Sequence, residues 1–260
     1  MTFDSISIHR IALIILVGLY TPITLASHAG NTEPTSKEAF ERFSPYVVTL
    51  SAGPIWANAG NTQSIYLQPS IQKTYAADSN TTLLADGEVF LGFQRALNTR
   101  LNAQLGLAVA TTGNANLTGD IWDDALPQFN NFNYAYTVQH THVALKAKLL
   151  RDVGRAFTPY ISGSLGVGFN QARNFTSTPT LFEASPTPNF QSNTTTAFTY
   201  TLGIGVQRAI DQHWQAGVGY EFADWGKSHL ARMPEQTMGQ GLSLNHLYTN
   251  GLQFSLSYLS

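Results

Sequence analysis

The stretch 198–226, FTYTLGIGVQRAIDQHWQAGVGYEFADWG, decides the fold. Large apolar residues fall on every second position, Phe198, Tyr200, Leu202, Ile204 and Val206, with Thr199, Thr201, Gly203, Gly205 and Gln207 between them. After a polar break over 208–213 the alternation resumes, with Trp214, Ala216, Val218, Tyr220 and Phe222 against Gln215, Gly217, Gly219 and Glu221. Side chains alternate between faces along a strand, so period 2 on both sides of a short polar break predicts an antiparallel hairpin. One face is apolar and aromatic throughout. The other is glycine, threonine, glutamine and glutamate, a poor lining for a dry core. The apolar face is therefore expected to meet lipid.

The same pattern recurs along the chain. Period-2 segments are expected at 46–56, 82–94, 100–111, 133–149, 160–169 and 244–258, which with the opening hairpin makes eight strands. The connections alternate long and short, with long polar loops at 58–81, 112–131, 171–195 and 227–243. Segments of about ten residues, an even strand count and loops long on one side only predict an all-β fold, an eight-stranded antiparallel up-and-down transmembrane β-barrel with short periplasmic turns and long extracellular loops. A soluble barrel also alternates, with its apolar face inward. Against that reading, the polar face carries Asp86, Glu88, Lys146 and Glu221 among many glycines, as a narrow polar lumen requires. Aromatics also tip the apolar face: Tyr46, Phe93, Trp214 and Tyr258 for the inner interface, Trp56, Phe198 and Phe222 for the outer one. The first half of the fourth segment reads in the opposite phase (Tyr134, Tyr136, Val138). Either a bulge near 139–142 or inward-packed tyrosines would produce that.

Only 12% of the 260 residues are charged and the formal net charge is -2, which gives no electrostatic reason to expect nucleic acid. There are no cysteines, so disulfides and thiolate metal sites are excluded. The one long apolar run, 11–25, follows His9-Arg10 and leads into Ala26-Ser27-His28-Ala29. That order predicts a secretory signal peptide over 1–26, with cleavage after Ala26 or Ala29, then a polar leader over 27–44 and the barrel over 45–260. An uncleaved anchor helix is the alternative; the run is short of the ~20 residues a span needs, and Pro22 interrupts it.

TPYISGSLGVGFN at 158–170, VGYEFADWG at 218–226 and LYTNGLQFSLSY at 247–258 resemble the small eight-stranded outer-membrane β-barrel superfamily, the OmpA-like and Opa-like barrels of Gram-negative bacteria. The resemblance runs from about Tyr46 to the end. It implies export to the outer membrane, contact with its lipid and lipopolysaccharide, and insertion by the barrel-assembly machinery, which reads an alternating terminal strand ending on an aromatic residue. Here Leu252, Phe254, Leu256 and Tyr258 supply the alternation, but Leu259 and Ser260 follow. Tyr258→Ala is thus expected to be more harmful than Leu259→Ala, since Leu259 falls on the lumen phase.

Asp86, Glu88, Lys146 and Glu221 are expected to form a structural ion cluster in the lumen, since buried charges persist only when paired. His140 and His142 share a strand face at a spacing some metal sites use, and Ser228-His229 lies near Asp224 as in some hydrolases; both patterns read more simply as structure. No cofactor, metal or catalytic residue is expected. The function expected is structural or surface interaction, with loops that contact host or cell-surface ligands. The alternatives are a narrow channel for ions or small hydrophobic molecules and an outer-membrane lipid-modifying enzyme.

Overall fold

A computed structural model describes residues 46–123, 126–180 and 188–260. The expected signal peptide and leader lie outside the described residues. In chain order the strands are β1 (Tyr46–Asn58), β2 (Gln63–Gln68), β3 (Ile71–Ala77), β4 (Thr81–Asn98), β5 (Leu101–Asp123), β6 (Asn130–Arg151), β7 (Thr158–Pro179), β8 (Asn193–Ala209), β9 (Trp214–Asp224), β10 (Ser228–His229), β11 (Ser243–Leu244) and β12 (Tyr248–Leu259). A 3-10 turn, Pro127–Phe129, precedes β6.

Eight of these strands form an antiparallel ring. Each pairs with its neighbours in the order β1, β4, β5, β6, β7, β8, β9, β12, and β12 pairs back onto β1 from Val47↔Leu259 to Asn58↔Tyr248. One end of the ring has only short turns, at 99–100, 152–157 and 210–213. The turn residues make their own closures: Asp152 Oδ1 accepts from Gly154 N at 2.7 Å, and Asp211 Oδ1 accepts from His213 N and Trp214 N, both at 2.8 Å. Those two amides hold the exposed Asp211 carboxyl below its ordinary pKa.

At the other end the structure departs from the expected loops. β5, β6 and β7 are 23, 22 and 22 residues long, about twice a transmembrane strand. Much of 112–131 and 171–195 is therefore strand. The segment 58–81 is no featureless loop either: β2 and β3 form a hairpin, and β3 pairs with the far half of β5 from Lys73↔Asp123 to Ala77↔Gly119. Within 227–243, β10 pairs with β11. The eight-strand ring thus carries a second storey.

The two storeys invert polarity. On β6 the outward residues Leu149, Leu145 and Val143 are exposed, and the inward Lys146, His142 and His140 are buried. Beyond His140 the inward residues become apolar (Val138, Tyr136, Tyr134, Phe132) while the outward ones become polar (Thr141, Gln139, Thr137, Asn133). The phase never slips on β6; its tyrosines pack inside. The irregularity lies on β5, where the register shifts between Thr111 and Asn114, and there Leu105, Leu107 and Val109 outside give way to Asn114, Asn116 and Thr118. A second shift between Ala135 and Thr137 of β6 is taken up by Asn174 on β7, the one non-glycine residue with positive φ (58°) among those described.

The second storey has an ordinary apolar core, with Leu117, Ile121, Phe132, Tyr134, Tyr136 and Phe175 from the long strands. Phe190, Leu230, Met233 and Leu242 fold over it from the connections. A smaller inward cluster, Val47, Phe90, Ala108 and Leu259, plugs the tight-turn end. Leu259 N also donates to His213 O at 2.8 Å, and Ser260 N to Tyr46 O at 3.1 Å.

That placement changes the expectation for the last strand. Tyr258 stays on the outer face, but Leu259 fills the interior, so truncating it leaves a cavity costing about 2 kcal/mol or more. Leu259→Ala should lower the urea midpoint of unfolding, read by heat-dependent gel mobility, by more than Tyr258→Ala does. The reverse order would mean that the plug is not packed.

Candidate functional site

The four charged residues singled out above converge from three strands of the ring. Lys146 on β6 places Nζ 2.6 Å and 2.9 Å from the two Glu88 oxygens of β4 and 3.1 Å from Glu221 Oε2 of β9. Asp86 joins through a residue that sequence reasoning missed: Gln253 Nε2 donates to Asp86 Oδ2 at 2.8 Å and to Glu221 Oε1 at 3.3 Å. Toward the tight turns a separate tier follows. Lys148 Nζ donates to Gln207 Oε1 at 2.7 Å and lies 3.8 Å over the Tyr160 ring, and Gln207 Nε2 donates to Gln215 Oε1 at 2.6 Å. Glycine makes room for this ring: a Cβ on Gly205 would meet Tyr160 Cζ at 2.6 Å. What remains is a cavity of about 40 Å³ bordered by Lys146, Lys148, Glu88 and Gln253. That holds a few waters and no larger solute.

Toward the second storey the interior is sealed by His140, which is fully buried and stacked on Trp225 with ring centroids 4.6 Å apart. The hydrogen bonds here have a fixed direction. Asn170 uses both amide protons on the Trp225 and Lys227 carbonyls, each at 2.8 Å. Its Oδ1 must therefore accept, from His140 Nδ1 at 2.6 Å. A neutral His140 then has a lone pair on Nε2, and His142 Nδ1 donates to it at 2.9 Å. His142 Nε2 is left as an acceptor, buried and without a hydrogen-bond partner among the described residues. Both nitrogens of His140 are thus engaged by protein. Among the described residues no three of His, Asp or Glu are grouped for a metal ion.

The other pattern also comes apart. His229 bonds to Asn193 and Thr195, each at 2.9 Å, while Asp224 holds His246 Nδ1 at 2.8 Å and caps Gly226 N. Ser228 Oγ is buried without a partner among the described residues, so Ser228, His229 and Asp224 do not line up.

The second storey holds a larger cavity, about 400 Å³, between the β2–β3 hairpin, the tips of β5 and β6, and the 225–247 connection. Its floor includes Leu67, Phe132 and Met233. Lys73 is buried there, 3.0 Å from Asp123 Oδ1 and 5.0 Å over the Phe132 ring, while Asn131 Nδ2 donates to Asp123 Oδ2 at 2.6 Å. Burial, with Asp123 nearby adding to it, pushes the neighbouring Tyr75 phenol well above its ordinary pKa.

The outward aromatics sit in two groups. Near the tight turns Tyr46 packs on Phe93 and Trp214 on Tyr258, each pair with centroids 5.2 Å apart. Near the polarity crossover Phe198, Tyr200, Phe222 and Tyr248 follow one another at 5.9–6.4 Å, and Trp56 lies outward on β1.

No family description and no curated protein sequence matches the chain. Among solved structures it is similar to Neisserial surface protein A (10% identity, 82% of this chain and 96% of that one covered, TM-score 0.44). It is also similar to the outer membrane protease OmpT from Escherichia coli (8% identity, 83% and 97% covered, TM-score 0.45). A third is the outer membrane protein OprG from Pseudomonas aeruginosa (13% identity, 84% and 97% covered, TM-score 0.39).

Two outcomes are expected from this geometry. Lys146→Ala leaves Glu88 and Glu221 without their ammonium and should cost about 3 kcal/mol or more in unfolding free energy. Adding Glu88→Gln and Glu221→Gln should recover part of it; no loss in the single variant would mean that the cluster is hydrated and carries no stability. Nitrogen-15 spectra at neutral pH should show both His140 and His142 protonated on Nδ1. A protonated Nε2 on His142 would reverse the chain of donors.

Proposed function

We propose that this chain is an outer-membrane β-barrel of eight strands with a closed lumen, and that it works as a surface-interaction protein through its second storey. The observation that carries this reading is the polarity inversion. Over Leu101–Thr111 of β5 and the paired part of β6 the outer face is leucine, valine and alanine, and the inner face is polar or small, with Gln104, Lys146 and Lys148 among Gly106, Ala108 and Ala144. That stretch is about 11 residues, the length of a transmembrane β-strand. The apolar belt continues around the ring through Leu50, Leu91, Leu165, Leu202, Ile204 and Phe254. A soluble protein does not expose a contiguous apolar surface of that size. The two aromatic groups lie at its two borders, where rings meet headgroups. Above the crossover the outer face turns polar and the core turns inward, as water on the outside demands.

The lumen supports interaction rather than conduction. An eight-stranded barrel is just wide enough for side chains to fill, and here the Lys146 cluster and the His140–Trp225 stack fill it. Thr195 Oγ1 bonds His229 Nδ1 at 2.9 Å, but the other ring nitrogen is held by the Asn193 amide and no carboxylate among the described residues orients the ring, so the reading includes no enzymatic step. The partners that fit are outer-membrane lipid and lipopolysaccharide around the belt and host- or cell-surface ligands on the second storey.

Single cysteines at Asn61, Asn116 and Gln240 should label with an impermeant thiol reagent on intact cells, whereas cysteines at Asn98 and Arg155 should label only after lysis. Gln240 is chosen over Gln236, whose side chain is buried. Labelling of Asn98 on whole cells would overturn the orientation. In planar bilayers the purified protein should show no stable unitary conductance, and ion currents abolished by Lys148→Trp would favour the channel instead.

A further inference from the structure

We propose that the 400 Å³ cavity of the second storey is a binding site for a small amphiphilic cation, a compact apolar or aromatic body bearing a primary ammonium group. The inference rests on the surface-interaction reading and names the ligand class that storey takes. Its volume lies within the range of small-molecule sites, roughly 300–1,000 Å³.

The paired charges that line the cavity balance each other. Lys73 is neutralised by Asp123, and both Asp123 oxygens are engaged, one by Lys73 and one by Asn131. Gln236 donates both amide protons, to the carbonyls of Met238 at 2.7 Å and Gln240 at 2.9 Å, and accepts from Met233 N at 3.2 Å. That wall therefore presents apolar surface, from Leu67, Phe132 and Met233, beside a charge-balanced Lys73–Asp123 pair. The rim differs. Glu235 is exposed, and its carboxylate makes no ion pair or hydrogen bond with any described residue; the Oδ1 of Asn131 likewise accepts no hydrogen bond from them. Open acceptors and one uncompensated negative charge select a donor-rich cation at the mouth, with its apolar body turned inward. An anion would meet the Glu235 charge, and Lys73 offers it no net positive charge because Asp123 balances it.

The test uses the full-length protein in lipid nanodiscs and saturation-transfer NMR with three probes of matched length: phenethylamine, 2-phenylethanol and phenylacetate. Phenethylamine should bind saturably, 2-phenylethanol about fivefold more weakly and phenylacetate more weakly still, as one partly exposed charge pair implies. Glu235→Gln should bring phenethylamine down to the level of 2-phenylethanol. Ile71→Trp and, independently, Pro188→Trp should obstruct the cavity and remove saturable binding of all three, with unchanged heat-dependent gel mobility showing that each variant is folded. Equal binding of phenethylamine and phenylacetate, binding that survives both tryptophan variants, or no saturable binding to the unaltered protein would each overturn the site. Those outcomes leave the whole-cell labelling pattern untouched, so failure of the ligand and failure of the surface reading are separable.

Discussion

A peptide group that faces hydrocarbon has only another peptide group to bond to. In the proposed membrane setting, that constraint organises the lower storey. Eight strands satisfy it because β12 returns to β1 and leaves no open edge in the ring, and the final contacts of Leu259 with His213 and of Ser260 with Tyr46 carry the pairing to its last residue. Once the apolar alternation is committed outward, every second residue must point into a space too narrow for bulk water. Most of those residues satisfy one another, in three tiers of side-chain hydrogen bonds: Asn170 with the histidine pair, Lys146 with its carboxylates, and Lys148 with Gln207 and Gln215.

The two storeys solve the burial problem in opposite ways, as the proposed membrane setting requires. In the upper one, phenylalanine, tyrosine and leucine leave water for a common core, the usual source of folding free energy. In the lower one, with lipid as the proposed partner, the hydrophobic side chains point outward, and the interior contributes through pairing that offsets the cost of desolvated charge. His140 stands at the change of regime: its ring stacks on Trp225 of the upper core while its nitrogens belong to the first polar tier below. The Asn170 amide, pinned by two backbone carbonyls, ties the root of the 225–247 connection to the wall of the ring. The cover of the lumen and the surface proposed for binding are thus one folded unit.

Much of the ring was legible from alternation alone, because period 2 is a local property and survives whatever the strand pairs with. The inward phase of Asp86, Glu88, Lys146 and Glu221 followed from the same alternation. Gln253, Lys148 and Tyr160 were harder to single out. Glutamine and tyrosine on an inward phase look like any polar lining, and Lys148 looks like a second copy of Lys146. The upper halves of β5 and β7 read as loops because their outer residues include Asn114, Asn116, Gln171, Asn174 and Thr176, and their apolar residues fall on the inward face, which is polar further down. A strand that inverts its polarity halfway looks like a strand that ends.

The sequence by itself determined that the chain alternates with an apolar outer phase, that it carries few charges and no cysteine, and that its connections are unequal. Each follows from neighbours two residues apart or from composition. Only the tertiary structure decided where the polarity inverts, that Tyr134 and Tyr136 keep phase with Lys146, that the inward Leu259 is packed against Val47 and Phe90, and that one glutamine joins two carboxylates across the ring. Those outcomes depend on the register between strands distant in sequence. Register is set by the summed pairing of the whole ring, which no single segment encodes.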